Sequence, residues 1–410
     1  MIYNEVMEKT TQKTAYQEAI ALLKAVASSN GFMASKEDTE NYKRVWARDG
    51  VICGLAALLS EEEDLIATFR ANLETLAKYQ GDLGQIPSNV LLDGTQSEVS
   101  FGGLCGRIDT IPWFIIGVCN YVHFTQDIAF AHWMLPTMEK GIRLMQAWEF
   151  NNKGLMYVPR SGDWADEYIL HGYVLYDQLL RLWALEAFQQ FFEDEVLARQ
   201  AQGLRKLIES NYHLSSLSKE VGLYHPKAME LVEDQEIKYW LPAFNPGGYQ
   251  TQFDAWANAI ALLLNLGADK QREQVMKYSA NVMKEQTLGL LPAFWPPIDE
   301  KHREWETLQN NNKYRFRNFP YEFHNGGSWP VVNAFFGAGL VKQGHKAPAF
   351  ELQMAIDHAN RKSDADESWG FYENFHSQTG QPTGTKYCAW SAAGAVILDA
   401  YLNGKSLLGA

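Results

Sequence analysis

Apolar positions return every three and four residues along most of the chain, the spacing that lays one stripe of an α-helix against a core. Followed from end to end, this pattern predicts about a dozen helices, near 13–29, 49–60, 62–79, 109–125, 128–148, 172–193, 194–211, 252–266, 270–285, 328–343, 346–361 and 386–403. Period-two alternation is weak throughout, and the stretch from Gly154 to Val158 is the best candidate for a small hairpin. The helices are not alike. Ile111–Val122 and Ala257–Leu266 are apolar nearly all round, as expected of helices with neighbours on both sides.

The chemically unusual motifs share a position in this pattern: nearly every one lies just ahead of, or opens, an even-numbered helix. Trp46-Ala47-Arg48-Asp49 leads into the second, Gly106-Arg107-Ile108-Asp109 into the fourth, and Ser161-Gly162-Asp163-Trp164-Ala165-Asp166-Glu167 into the sixth. Asn245-Pro246-Gly247-Gly248-Tyr249 precedes the eighth, Asn325-Gly326-Gly327-Ser328-Trp329-Pro330 opens the tenth, and Thr385-Lys386-Tyr387 opens the twelfth. If helices alternate outer and inner around a closed ring, all inner helices run the same way and their N-termini meet at one rim. That is an all-α (α/α)6 barrel, and it gathers these motifs into one funnel. An open solenoid is the alternative, but the chain shows no repeat period. No linker, charge block or low-complexity tract divides the sequence, so a single catalytic domain over 1–410 is expected.

Composition narrows the function. A net charge of −13 without a basic stripe argues against nucleic-acid binding, and no segment is long and apolar enough to predict a membrane span. Cys53, Cys105, Cys119 and Cys388 form no metal-ligand spacing; reduced thiols and a cytoplasmic location are expected, with no metal and no cofactor. The first residues lack a basic segment followed by an apolar stretch, which argues against secretion. A small carbohydrate is the expected partner, and homo-oligomerisation is left open.

Two acidic clusters carry the chemistry, the one at 161–167 and Trp369-Gly370-Phe371-Tyr372-Glu373-Asn374. Cleavage of a glycosidic bond needs one carboxyl group to donate a proton and a second to stay ionised, in a pocket with flat apolar walls. Asp163, Asp166 and Glu167 compete for the acid role, and each could instead be a carboxylate at a helix start. Glu373 stands in a loop between Tyr372 and Asn374, away from any charged helix face. Arg48-Asp49 and Asp109 have a capping reading beside a substrate-binding one. Trp46 next to them adds a ring that can cover a sugar face. In the stretch after Tyr321 and Phe323, two glycines allow close backbone approach, Ser328 can cap the next helix, and Trp329-Pro330 makes a rigid wall. Loop tryptophans Trp46, Trp164, Trp240, Trp295, Trp329 and Trp369 fit a sugar site, where a ring buries the C–H face and hydroxyls go to polar neighbours.

These residues resemble a family. Asn325–Val331, Gly106-Arg107-Ile108-Asp109, Phe253-Asp254-Ala255-Trp256-Ala257-Asn258 and the run Lys386 to Gly394 are similar to motifs of the neutral/alkaline invertases, inverting sucrose hydrolases of the (α/α)6 class. More widely, Arg48-Asp49 and Glu373-Asn374-Phe375…Thr379-Gly380 resemble motifs of glycogen-debranching and processing α-glucosidases. The resemblance implies that Glu373 is the general base and that Asp49 holds the sugar at the −1 subsite. Where the invertases have Asp-Arg-Arg leading to His-Gly, this chain has Trp164-Ala165-Asp166-Glu167 leading to His171-Gly172, one residue shorter. Trp164-Ala165-Asp166 matches the Trp-x-Asp of the debranching enzymes and makes Asp166 the acid, while the departure leaves sucrose itself in question.

The expected function is an inverting hydrolase of a small α-glucoside, with Asp166 protonating the leaving oxygen and Glu373 activating water. Arg48, Asp49, Asn325, Trp329 and Tyr387 are expected to orient the glycone, and loops with Gln85, Asn89, Trp240 and Trp295 to read the aglycone. Arg107, Asp109, Asp163, Trp164, His171, Tyr249, His324, Gly326 and Lys386 complete the predicted binding set. The rival classes are an (α/α)6 sugar epimerase working through His171, His324 or His376, and a carbohydrate-binding protein with a dead site. A proton-retaining Asp166 and an ionised Glu373 are the expected protonation states.

Overall fold

In the computed structural model, residues 13–94, 96–214, 222–364 and 369–410 are described. Their helices are α1 (Ala15–Val26), α2 (Ala47–Ser60), α3 (Glu63–Lys78), α4 (Thr110–Thr125), α5 (Ile128–Ala147), α6 (Leu175–Phe188), α7 (Glu195–Asn211), α8 (Pro226–Glu230), α9 (Ala255–Leu263), α10 (Asp269–Lys284), α11 (Trp305–Asn310), α12 (Pro330–Lys342), α13 (Lys346–Asn360) and α14 (Ala389–Leu402). α2, α4, α6, α9, α12 and α14 pack each against the next, and α14 returns to α2, closing a ring of six. Outside it, α1 packs on α14, α3 on α2 and α4, α5 on α4, α7 on α6, and α13 on α12 and α14. α10 is tied to the ring by Arg272 Nε, which donates to Gln343 Oε1 at the end of α12, 2.8 Å away. The chain has the (α/α)6-barrel architecture.

The burial of the two layers explains the sequence pattern. Every residue of α9 and residues Thr110 to Val122 of α4 are buried, whereas α7 and α10 bury only one stripe each. Outer helices therefore read as amphipathic and inner ones as uniformly apolar. Close packing demands small residues where layers touch: a Cβ added at Gly54 of α2 would stand 1.9 Å from the Phe69 ring of α3. In the centre of the ring, Trp113 of α4 meets Trp183, Trp256 and Phe335, from α6, α9 and α12. The barrel is plugged by aromatic rings, so the funnel is blind.

Short strands depart from the helical expectation, because a two-residue strand stands directly before α2, α6 and α9: Val45–Trp46, Tyr173–Val174 and Phe253–Asp254. Each is paired antiparallel with a strand from elsewhere, Val45–Trp46 with Asn89–Asp93, Tyr173–Val174 with Ala243–Asn245, and Phe253–Asp254 with Phe294–Trp295. The pairs fix the chain as it enters the inner helices, and so fix the rim. Gly154–Val158 forms no hairpin; Val158 alone bridges to Gly172. The short helices α8 and α11 were below the length that periodicity detects.

Candidate active site

One cavity opens at the rim where the inner helices begin. It is lined by Trp46, Arg48, Asp49, Asn89, Arg107, Trp164, Asp166, His324, Trp329 and Glu373 from the predicted set, joined by Tyr42, Glu167, Lys313, Tyr314, Arg317 and Trp390. Asp166 and Glu373, 207 positions apart in sequence, thus face one space. α2 brings Arg48 and Asp49 in its first turn, and α14 brings Trp390. Neither Asp49 nor Asp109 caps by side chain: α2 begins after Trp46 without a side-chain cap, and Asp109, at the start of α4, turns its carboxylate to Arg48 Nη1 at 2.6 Å. Ser328 does not cap α12 either; Trp329 holds that place, and the Ser328 hydroxyl donates to Leu290 O.

The two carboxyl groups have opposite settings. Burial pushes the Glu373 carboxyl up to about 7, partly offset by Arg317 and by the Tyr42 hydroxyl, which donates to Oε1 at 3.0 Å and Oε2 at 3.1 Å. Burial also acts on Asp166, but the charge of Arg107, with Arg48 and Arg317 farther off, outweighs it and leaves the carboxyl below its usual range. Arg107 Nη2 donates to Asp166 Oδ2, and Nη1 to the backbone oxygens of Gly102, Gly106 and Ser161. The expected order of the two pKa values is therefore reversed in the substrate-free molecule, because the guanidinium that no sequence spacing reveals sits on Asp166. Asp49 is raised to about 6, first by burial, with Arg48 opposing. His324, buried among cations, drops to about 3 and is neutral near pH 7.

Beneath the cavity floor lies a group of buried acids. Asp163, 1% exposed, accepts from the Trp164 amide; Asp109 is paired to Arg48, and Asp254 caps α9 through the amides of Trp256 and Ala257. Asp163 therefore points below the site, and of the acids in its cluster only Asp166 and Glu167 reach the cavity. Glu167 is held by Arg317 Nη2 at 3.1 Å, and its backbone oxygen accepts from Asn318 Nδ2 at 2.7 Å.

The remaining predicted residues stand elsewhere. Gln85 edges a separate surface cavity with Gly81 and Ile108. Trp240 is buried against His213, and Tyr249 donates its hydroxyl to Asn211 O at 2.8 Å. His171 is tied to Ile169 O and Asn245, Trp295 packs on Tyr321, and Lys386 and Tyr387 stack on each other. Asn325 is a clamp: Oδ1 accepts from the Ile298 amide at 2.7 Å and Nδ2 donates to Ile298 O and Asn318 O. Gly326 has φ +97° and backs onto the Tyr321 backbone. All are outside the cavity lining, and the polar atoms of Tyr249, His171 and Asn325 are used in holding the rim loops together. Sequence reasoning missed Tyr42, Lys313, Tyr314 and Arg317; the polar run of asparagines ahead of Lys313 signals a loop, but nothing in it signals which way the loop folds.

The family described as Alkaline and neutral invertase matches residues 225–404. Over 433 residues the chain is 24% identical to neutral/alkaline invertase 1, mitochondrial, of Oryza sativa subsp. japonica, covering 90% of this chain and 65% of that protein. Cytosolic invertase 1 of the same plant is 26% identical, covering 92% and 75%. The chain thus spans about two thirds to three quarters of the length of these relatives. Among solved structures, a GH63 mannosylglycerate hydrolase from Thermus thermophilus in complex with Tris superposes with TM-score 0.67 at 13% identity, covering 93% of this chain and 99% of that one. A bacterial glucoamylase complexed with acarbose gives TM-score 0.63 at 16% identity, covering 96% and 56%. The chain resembles the neutral and alkaline invertases and shares its fold with GH63 and glucoamylase-like glycosidases.

Proposed function

We propose that this invertase-like glycoside hydrolase cleaves a small α-glucoside, sucrose-like or a glucosylated small solute, by single displacement with inversion. The observation that carries the reading is the pair Asp166 and Glu373, lining one cavity walled by Trp46, Trp164, Trp329 and Trp390. Rings of that kind bury sugar C–H faces, while Arg48, Asp49 and Asn89 offer fixed donors and acceptors to hydroxyls. In this mechanism Asp166 protonates the leaving oxygen and Glu373 takes a proton from the water that attacks the anomeric carbon.

The proton must first change place, since the resting electrostatics favour an ionised Asp166 and a protonated Glu373. Substrate supplies the trigger: a glycosidic oxygen seated between them accepts from Arg107 Nη2 in place of Asp166 Oδ2, while Nη1 keeps its three backbone acceptors. Loss of that hydrogen bond, together with the exclusion of water by the bound sugar, raises the affinity of Asp166 for a proton. The Asp166-Glu167 run, in place of the invertases' Asp-Arg-Arg, widens the candidate substrates beyond sucrose. The chain acts as one catalytic unit in this reading. A cytoplasmic setting accompanies it, supported by four unpaired cysteines.

An epimerase needs a histidine able to exchange a proton at the sugar. Of the three histidines, only His324 lines the cavity, and it is held neutral with a depressed pKa. Reducing-sugar release from a panel of α-glucosides separates hydrolysis from epimerisation and from a dead site. Asp166→Asn should lose most activity on a natural disaccharide but keep much more on a glucosyl fluoride, whose leaving group needs no proton. Glu373→Gln should be poor on both, each effect being about 10²–10⁴-fold. Proton NMR of the first turnovers should show β-glucose from an α-glucoside; initial α-glucose would exclude inversion.

A further inference from the structure

A second cavity adjoins the first, and the two share Arg107, Asp166, Glu167 and Lys313. Asp166 stands on the shared wall, so an alcohol protonated there departs into this second space. Its far side adds Arg160, Ser161, Asn311 and Asn312. The charges are lopsided. Asp166 is paired with Arg107 and Glu167 with Arg317, whereas Arg160 and Lys313 have no ion pair among the described residues. Two uncompensated cations facing one cavity run against the net charge of −13.

The segments that carry them are fixed to one another. Ser161 Oγ donates to Asn311 Oδ1 at 2.9 Å, Asn311 Nδ2 donates to Tyr168 O at 2.8 Å, and Arg107 holds Ser161 O. Arg160 and Lys313 themselves remain exposed. A neutral leaving group can accept hydrogen bonds from them but leaves both charges unmatched. A guanidinium fork matches the paired oxygens of a carboxylate or phosphate, and an ammonium adds a movable point charge.

We propose that this cavity is a leaving-group subsite for an anionic aglycone, a carboxylate- or phosphate-bearing alcohol held by Arg160 and Lys313. The inference rests on the hydrolase reading above. The reaction balances without a co-reactant: the bond between the anomeric carbon and the aglycone oxygen breaks, that oxygen takes the proton of Asp166, and water supplies hydroxide to carbon and a proton to Glu373.

The test compares matched substrates, sucrose against its fructosyl-6-phosphate ester and glucosylglycerol against glucosylglycerate. At least one charged member should exceed its neutral partner about tenfold in kcat/KM, the lower range for a hydrogen bond to a charged group. Whichever pair shows the preference identifies phosphate or carboxylate as the anion. Arg160→Gln and Lys313→Gln should each cut the charged-to-neutral ratio several-fold, and added salt should narrow it. Equal rates in both pairs, or a ratio untouched by the variants, would overturn the subsite and leave the hydrolase reading intact. Calorimetric binding of fructose 6-phosphate and glycerate, against fructose and glycerol, gives a readout that needs no turnover. Charge-selective binding lost in Arg160→Gln, with no glucoside cleaved, would keep the subsite and remove the hydrolase reading; absence of that selectivity counts against the subsite.

Discussion

Tyr42 reaches Glu373 across 331 positions of sequence, and its hydroxyl contacts both carboxylate oxygens. Burial next to Glu373 keeps the phenol protonated and therefore a donor. Such a bond favours the charged carboxylate, so Tyr42→Phe should raise the Glu373 pKa further from about 7. The limb of the kcat/KM profile near pH 7 should move upward in Tyr42→Phe and vanish in Glu373→Gln; a limb unmoved by the loss of the hydroxyl would remove Tyr42 from the base's environment. Placement at the cavity was legible where residue type and context agreed, as at Trp46, Arg48 and Glu373. It failed at Asn325, since an asparagine in a glycine-rich loop serves a backbone clamp as readily as a sugar. It was silent at Tyr42, Arg107's hold on Asp166 and Arg317, because a partner brought by folding leaves no trace in spacing.

At the level of elements, the alternation of amphipathic and uniformly apolar helices gave away the two layers, and the boundaries moved by a few residues only. The short strands ahead of α2, α6 and α9 escaped, because two residues cannot display a period. Layer contact is tightest at Gly54, where Gly54→Ala forces the α2–α3 pair apart or turns Phe69 from its place. That change should cost about 1–3 kcal/mol, as overpacking does, and lower the midpoint of urea unfolding without altering its slope. An unchanged midpoint would mean that α3 yields freely, contrary to the buried packing of Phe69.

The whole molecule carries an electrostatic load under its candidate active site. Asp177 of α6 is fully buried, neither of its carboxylate oxygens is hydrogen-bonded among the described residues, and its pKa is raised first by burial and then by Asp163, Asp109 and Asp254. Asp254 and Glu373 are each raised to about 7 and Asp49 to about 6, in every case chiefly by burial. A raised carboxyl keeps its proton in the folded chain after the unfolded chain has lost it. Stability from these groups is thus full below the ordinary carboxylate range and falls as pH rises from about 4 to about 7. Asp127 and Asp166, whose values are depressed, act in the opposite sense at more acidic pH. The Tm should fall between pH 5 and 8, and Asp177→Asn should raise it at pH 8 on the order of 2 °C, with a smaller gain at pH 5. Equal gains at both values would show that Asp177 does not titrate differently on folding. The ring itself was readable in outline; the depth of this acidic floor was not, since each aspartate alone reads as a helix start.

Closure of the ring has a consequence for how the protein comes into being. α14 is the last inner helix to be made, yet it seals the seam between α12 and α2 and lends Trp390 to the cavity wall. A nascent chain carrying the first five inner helices still has an open flank of apolar side chains on α2 and α12, and a cavity missing one side. At the roughly 5–20 residues per second of translation, that seam stays open for as long as the ribosome takes to travel from α12 to the end of α14. During that interval the apolar faces that α14 will cover stay open to water and to other unfolded chains. The cavity gains its Trp390 wall, and the ring its closure, only with residues 389–402.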